Sequence, residues 1–118
     1  MRTIELGRAG EDIAAAYLHS RGMWVVGRNW RCPAGEIDIV AVDGRWLVVC
    51  EVKTRRSLVA GEPVEAVTPE KVRRLRRLAL AWIEAHGSAP RRTVRIDVVS
   101  VWWPPAGPAV VRHVKWVS

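Results

Sequence analysis

Residues 36–53 read Glu36-Ile37-Asp38-Ile39-Val40-Ala41-Val42-Asp43-Gly44-Arg45-Trp46-Leu47-Val48-Val49-Cys50-Glu51-Val52-Lys53. Two β-rich runs, Glu36 to Val42 and Arg45 to Lys53, flank Asp43-Gly44, and that dipeptide is a strong short-range hairpin signal. If Asp43-Gly44 is a two-residue turn, Val42 lies opposite Arg45. Val40 then faces Leu47, Asp38 faces Val49 and Glu36 faces Glu51. Strand side chains alternate with period two, so Glu36, Asp38, Glu51 and Lys53 share one sheet face. Ile37, Ile39, Ala41, Trp46, Val48, Cys50 and Val52 share the other, which is wholly apolar and is expected to be core. A bulge would move this register by one residue.

The acidic face is electrostatically unfavourable as drawn. Two carboxylates about 5 Å apart repel by roughly 3 kcal/mol at an effective dielectric near 20. Lys53 offsets one charge. A divalent cation would offset two more, and carboxylate oxygens suit Mg²⁺ or Mn²⁺. The other reading of these residues is a surface salt-bridge ladder.

Outward from the hairpin, Glu5 to Ser20 reads as a helix with Ala14, Tyr17 and Leu18 on its apolar stripe. Gly22 is its stop, while Gly7 and Gly10 weaken its first turns. Trp24 to Trp30 reads as a strand. Thr54 to Val67, with Arg55, Arg56, Gly61 and Pro63, reads as an irregular loop. Thr68 as N-cap and Pro69 at the first helical position open a second helix that runs to Gly87. Its buried stripe is Val72, Leu75, Ala79, Trp82 and Ile83. Val94 to Trp103 and Ala109 to Val117 read as strands, separated by Pro104, Pro105, Gly107 and Pro108. The order α-β-β-β-α-β-β predicts an α/β fold, a mixed sheet flanked by helices, with the second helix as a crossover.

The 118 residues suit one domain, and 49% hydrophobic content is enough for a core without disulfides. No run of about 18 uncharged apolar residues exists, so no membrane span is expected. Met1-Arg2-Thr3-Ile4-Glu5 lacks the apolar stretch of a signal peptide, which predicts a cytoplasmic protein. Cys32 and Cys50 show no metal-ligand spacing and read as free thiols. His19, His86 and His113 form no ligand pair, and most of the 7 Trp are expected in the core. Asp97, in the middle of a strand, is expected to pair with Arg95 or another Arg.

Lys and Arg number 19 against 12 Asp and Glu, a formal net charge of +7, which favours polyanionic partners and nucleic acid first. Lys71, Arg73, Arg74, Arg76 and Arg77 crowd one helix without interspersed acids. Cations at i,i+3 and i,i+4 repel one another, and a phosphate backbone would relieve that. Arg31, Arg55 and Arg56 flank the motif strands and are candidates for the same backbone. Only three of the 19 basic residues are Lys, at positions 53, 71 and 115, so a Lys beside the acids is informative.

Asp38 followed by Glu51-Val52-Lys53 resembles the PD-(D/E)xK nuclease motif, with Ile37 in place of the Pro. The wider pattern resembles the bacterial YraN family. It comprises Gly10-Glu11, Tyr17-Leu18, Gly22, Arg28-Asn29-Trp30, Gly35-Glu36-Ile37-Asp38, Glu51-Val52-Lys53-Thr54-Arg55 and Thr68-Pro69-Glu70-Lys71. That resemblance implies a restriction-endonuclease-like fold, similar to archaeal Holliday-junction resolvases. It implies that Asp38 and Glu51 bind a catalytic metal, with Glu36 a further candidate ligand. Lys53 would polarise the attacking water and Glu11 would complete the site. The implied activity is cleavage of DNA, including branched DNA, in repair or recombination. Symmetric cutting would call for a homodimer, with the apolar Leu58-Val59-Ala60 stretch a candidate for its interface. Two rival expectations stand beside the nuclease: a nucleic-acid-binding module that cleaves little, and a scaffold for an acidic protein.

Overall fold

The computed structural model describes residues 3–56, 67–87 and 93–118. The elements follow the expected order: α1 (Thr3–Ser20), β1 (Trp24–Cys32), β2 (Gly35–Asp43), β3 (Trp46–Arg55), α2 (Pro69–His86), β4 (Thr93–Trp102) and β5 (Val110–Val114). The five strands form one sheet in the order β1-β2-β3-β4-β5. Only β3 and β4 pair in parallel, and α2 connects them. The other neighbours are antiparallel. No helix among the described residues is long and apolar enough to cross a membrane.

Both caps of α2 follow their sequence signals. The Thr68 hydroxyl accepts from Lys71 N at 3.1 Å, and Gly87 ends the helix with φ at 75°. Leu75, Leu78, Ala79 and Trp82 form its buried stripe, with Val72 and Ile83 only half-buried. They pack on Ile37, Val40, Leu47, Val49, Val94 and Ile96. Helix α1 presents Ala14, Ala15 and Leu18 to Ile39, Ala41, Val48, Cys50, Val99 and Val101. The sheet is therefore dry on both faces through its middle. This corrects the one-faced core expected from the hairpin: Val40, Leu47 and Val49 are as buried as their alternates. A strand in a parallel pair, covered by helices on both sides, carries a continuous apolar run rather than an alternating one.

The hairpin register also differs from expectation. Asp43 pairs with Trp46 and Val42 with Leu47, so the two turn residues are Gly44 and Arg45, with Gly44 at φ 58°. The slip is two residues, so Ile39 to Val42 and Trp46 to Cys50 keep their expected faces. Ile37 does not, and joins the α2 core although Ile39 joins the α1 core. Alternation breaks between them, at Asp38. On the neighbouring strand Asn29 lies between the pairs Arg28–Ile39 and Trp30–Ile37 and has φ 51°. A left-handed residue inside a strand twists the ladder locally.

The tryptophans are less buried than expected. Trp82 alone is fully buried, while Trp24 on the edge strand is 72% exposed and Trp116 is 51% exposed. Strand β5 stops at Val114, short of the expected Val117. Trp116 takes φ 61° and donates its backbone N–H to Asp97 Oδ1, after which Val117 N bonds Ile96 O. Asp97 is fully buried and accepts both Nε and Nη2 of Arg95 at 2.9 Å, as well as His113 Nε2 at 2.7 Å. Burial pushes its pKa up, but the His113, Arg95 and Trp116 hydrogen bonds outweigh that and hold the carboxyl below its ordinary value. Asp97 and His113 are thus structural, as expected.

Gly10 lets α1 approach the end of β3. A Cβ at this position would overlap the Thr54 side chain. Helix propensity alone favours Ala over Gly by about 1 kcal/mol. Overpacking opposes it by about 1–3 kcal/mol. Gly10→Ala is therefore expected to lower stability in chemical denaturation, and Thr54→Ala in the same chain to recover part of the loss. A stabilised single variant would contradict this packing.

Candidate active site

The β2–β3 ladder has its last pair at Ile39–Cys50. The expected Glu36–Glu51 pair does not form, because the ladder ends there. Past Ile39–Cys50 the strands stop bonding backbone to backbone. Instead the Asp38 Oδ2 accepts the backbone N–H of Val52 at 2.8 Å. A carboxylate has replaced a carbonyl in the ladder, and it is held at the point where the two strands part.

Asp38 sits in concentrated negative field. Burial is the largest influence on it and raises its pKa. The Val52 hydrogen bond opposes this, and Glu51, Glu11 and Glu36 push it further up, to about 6. Glu51 is buried, and two ammonium groups share it: Lys53 Nζ at 3.6 Å from Oε1 and Lys71 Nζ at 3.6 Å from Oε2. Lys53 reaches it along its own strand. Lys71 reaches it from the first turn of α2, which the Thr68 cap fixes over this end of the sheet.

Glu11 approaches from the middle of α1. Burial raises its carboxyl above the ordinary value, against hydrogen bonding from Asn29 and the charge of Arg28, with Glu36 and Asp12 raising it further. Its Oε1 is buried and has no hydrogen-bond partner; Arg28 Nη2 stands 3.8 Å off and is bonded to Asp12 at 2.7 Å. Glu36 is exposed at the outer end of β2, with Arg31 Nε 3.5 Å from its carboxylate. Its charge acts on Asp38 and Glu11 and raises both carboxyls.

The structure thus brings Glu11, Asp38, Glu51 and Lys53 to one end of the sheet. Among the described residues no three His, Cys, Asp or Glu side chains form a ready-made metal cluster. Of the basic residues, Arg73, Arg74 and Arg77 lie exposed on α2, and Arg56 is exposed after β3. Arg55 Nε is buried without a hydrogen-bond partner. Lys71, expected to contact nucleic acid, instead faces Glu51, and Arg76 donates to the Ser118 hydroxyl at 2.6 Å. Leu58, Val59 and Ala60 lie outside the described residues. Lys71 was expected on the phosphate backbone and not as a partner of Glu51, and Asn29 was not expected beside Glu11. Thr68-Pro69 fixed where α2 starts, but not which strand end it would face.

Sequence comparison places these positions in a family. The pattern described as uncharacterised protein family UPF0102 matches residues 10–101. The chain belongs to UPF0102. A UPF0102 protein of Kineococcus radiotolerans is 56% identical over 96% of this chain and 93% of its own length. That of Streptomyces griseus is 57% identical over 96% and 95%, and that of Renibacterium salmoninarum 52% identical over 98% and 98%. The part matched to UPF0102 contains Glu11, Asp38, Glu51, Lys53 and Lys71.

A carboxyl raised by burial lowers folded stability when it is charged. The unfolded carboxyl ionises near its ordinary value of 3.8 and the folded one at about 6. The penalty is therefore absent below about pH 4, grows between these values and is complete above pH 6. Asp38→Asn removes the charge while keeping an oxygen for Val52 N. It is expected to be more stable than the wild type by about 1–2 kcal/mol near pH 7.5, with the gain vanishing near pH 4. Thermal denaturation across this range checks it, and a loss or a pH-independent gain would contradict it.

Proposed function

We propose that this UPF0102 chain is a metal-dependent endonuclease that hydrolyses DNA phosphodiester bonds in the cytoplasm. The observation that carries this reading is the convergence of Asp38, Glu51, Lys53 and Glu11 where β2 and β3 part. Asp38 and Glu51 are held at the end of the paired hairpin, and the charge of Glu11 is felt at Asp38. The arrangement is similar to that implied by the PD-(D/E)xK motif and supports membership of the restriction-endonuclease-like superfamily.

The residues fit a divalent cation. Burial first, and the charges of Glu51, Glu11 and Glu36 after it, raise the Asp38 carboxyl, and Glu11 Oε1 is buried without a hydrogen-bond partner. A cation at Asp38 would relieve that repulsion. Asp38 and Glu51 would hold Mg²⁺ or Mn²⁺, with Glu36 close enough in field to strengthen the attraction. When bound, such an ion activates water and screens the phosphate oxygens. The protein supplies the rest. Lys53 is a compact charge that can hold the attacking water against the phosphate. Lys71 keeps Glu51 oriented from the far side. The open Glu11 oxygen is available to a second water. Arg31, Arg55, Arg56, Arg73, Arg74 and Arg77 would hold the phosphate backbone on either side. Branched DNA as substrate, and a homodimer to cut it symmetrically, rest on the resemblance to resolvases.

A binding module that cleaves little is the second reading. It is favoured by the two lysines that already neutralise Glu51 and by the lack of a three-ligand cluster among the described residues. Incubation with linear duplex, single-stranded and four-way-junction DNA separates the two. Cutting that requires Mn²⁺ or Mg²⁺, stops with chelator and falls about 100-fold or more in Glu51→Gln supports the nuclease. Binding without cutting supports the module.

The phosphate contacts have their own test. With about five basic side chains on the backbone, log K should fall against log salt with slope roughly −4 to −5. Replacing Arg73, Arg74 and Arg77 together should flatten that slope by about 3. No DNA affinity at low salt would favour a scaffold for an acidic protein.

A further inference from the structure

Leu6, Arg56, Trp103, Pro104 and Pro105 line a groove of about 350 Å³. We propose that this groove takes one unpaired nucleobase, with the base against Trp103 and its phosphate at Arg56. The inference rests on the nuclease reading and names the substrate class for that site: DNA with unpaired nucleotides.

Position is the first argument. The groove lies beyond the carboxyl ends of β3 and β4, where ligands of open α/β sheets bind. Helix α1 runs antiparallel over β3 there, with Gly10 against Thr54 and Leu6 beside Arg56. Leu6 and Glu11 are five residues apart on one helix, so the groove and the acid cluster are about 8 Å apart along its axis. That is a reach of a nucleotide or so. A strand whose phosphate met Lys53 would carry a neighbouring base to the groove.

Chemistry is the second argument. One indole, two prolines and a leucine offer flat apolar walls, and one guanidinium offers a cation. A nucleotide presents the complement, a π-face and an anion. A base stacked in a duplex cannot enter, because both of its faces are already covered. The volume is that of a small-ligand pocket and too small for a helix.

Rigidity is the third. Trp103 N donates to Arg55 O at 2.7 Å, and Trp102 Nε1 donates to Arg56 O at 3.2 Å. These bonds fix the backbone of Trp103 beside that of Arg56, so the two side chains start from a set position on the groove. Leu6 and residues 103–105 fall outside the segment that matches the UPF0102 pattern, so the family comparison does not supply this groove.

The test is fluorescence anisotropy with labelled single-stranded and duplex oligonucleotides of equal length, in chelator at low salt. The wild type should prefer the single strand. Trp103→Ala should weaken single-strand binding about 5- to 100-fold and duplex binding less than about two-fold. Trp103→Leu keeps an apolar wall without a π-face and should lose the same amount, which guards against failure of the first variant to fold. Arg56→Gln, at an exposed position, should weaken the single strand several-fold. Unchanged single-strand affinity in all three, or equal loss on both DNAs, overturns the groove and leaves the nuclease standing. No DNA binding by the wild type overturns both.

Discussion

The backbone N–H of Val52 donates to the Asp38 carboxylate rather than to a carbonyl of β2, and the rest of the candidate site depends on this bond. It marks where the hairpin opens. On the turn side of Ile39–Cys50 the strands are paired and covered by both helices. On the other side they part, and the chain's acids gather in the gap. A continuous ladder would have left Asp38 beside Glu51 with neither a backbone donor nor room for a ligand. At the parting Asp38 Oδ2 takes the Val52 N–H.

The arrangement stores unfavourable electrostatics and must be held by packing elsewhere. Its holders are identifiable. The Thr68 cap and the stripe Leu75, Leu78, Ala79 and Trp82 fix α2, which delivers Lys71. Gly10 brings α1 down on Thr54, which delivers Glu11. At a second point in the sheet, Asp97 is compensated in the opposite manner. Four hydrogen bonds, two from Arg95 and one each from His113 and Trp116 N, satisfy its carboxylate. A half-buried Asp38 and a fully buried Asp97 in one sheet thus have shifts of opposite sign, Asp38 upward and Asp97 downward. The satisfied one organises the fold, and the frustrated one marks the place where chemistry is expected.

The sequence carried the acid face despite a wrong turn. Asp43-Gly44 suggested the two loop residues, whereas the structure uses Gly44 and Arg45. A slip of two keeps parity, so Asp38, Glu51 and Lys53 still converge; a slip of one would have dispersed them. Ile37 could not be placed, because its face depends on the irregularity at Asp38 and Asn29, which no period-two count contains. The second dry face was hidden for a similar reason. Val40, Leu47 and Val49 fall on the same parity as the acids, and only the parallel β3–β4 pairing under α2 makes them core. Arg95–Asp97 was legible as an i,i+2 pair on one strand face. The His113 and Trp116 partners come from the chain's far end and required the fold.

The nuclease proposal requires that Asp38 and Glu51 together take a divalent cation beside Lys53 and Lys71. Calorimetric titration of the metal-free protein with Mn²⁺ tests it most directly, with Asp38→Asn beside the wild type. The account predicts binding at one site per chain in the wild type and its loss in Asp38→Asn, with both proteins folded. No heat in the wild type, or equal affinity in the two proteins, would contradict it.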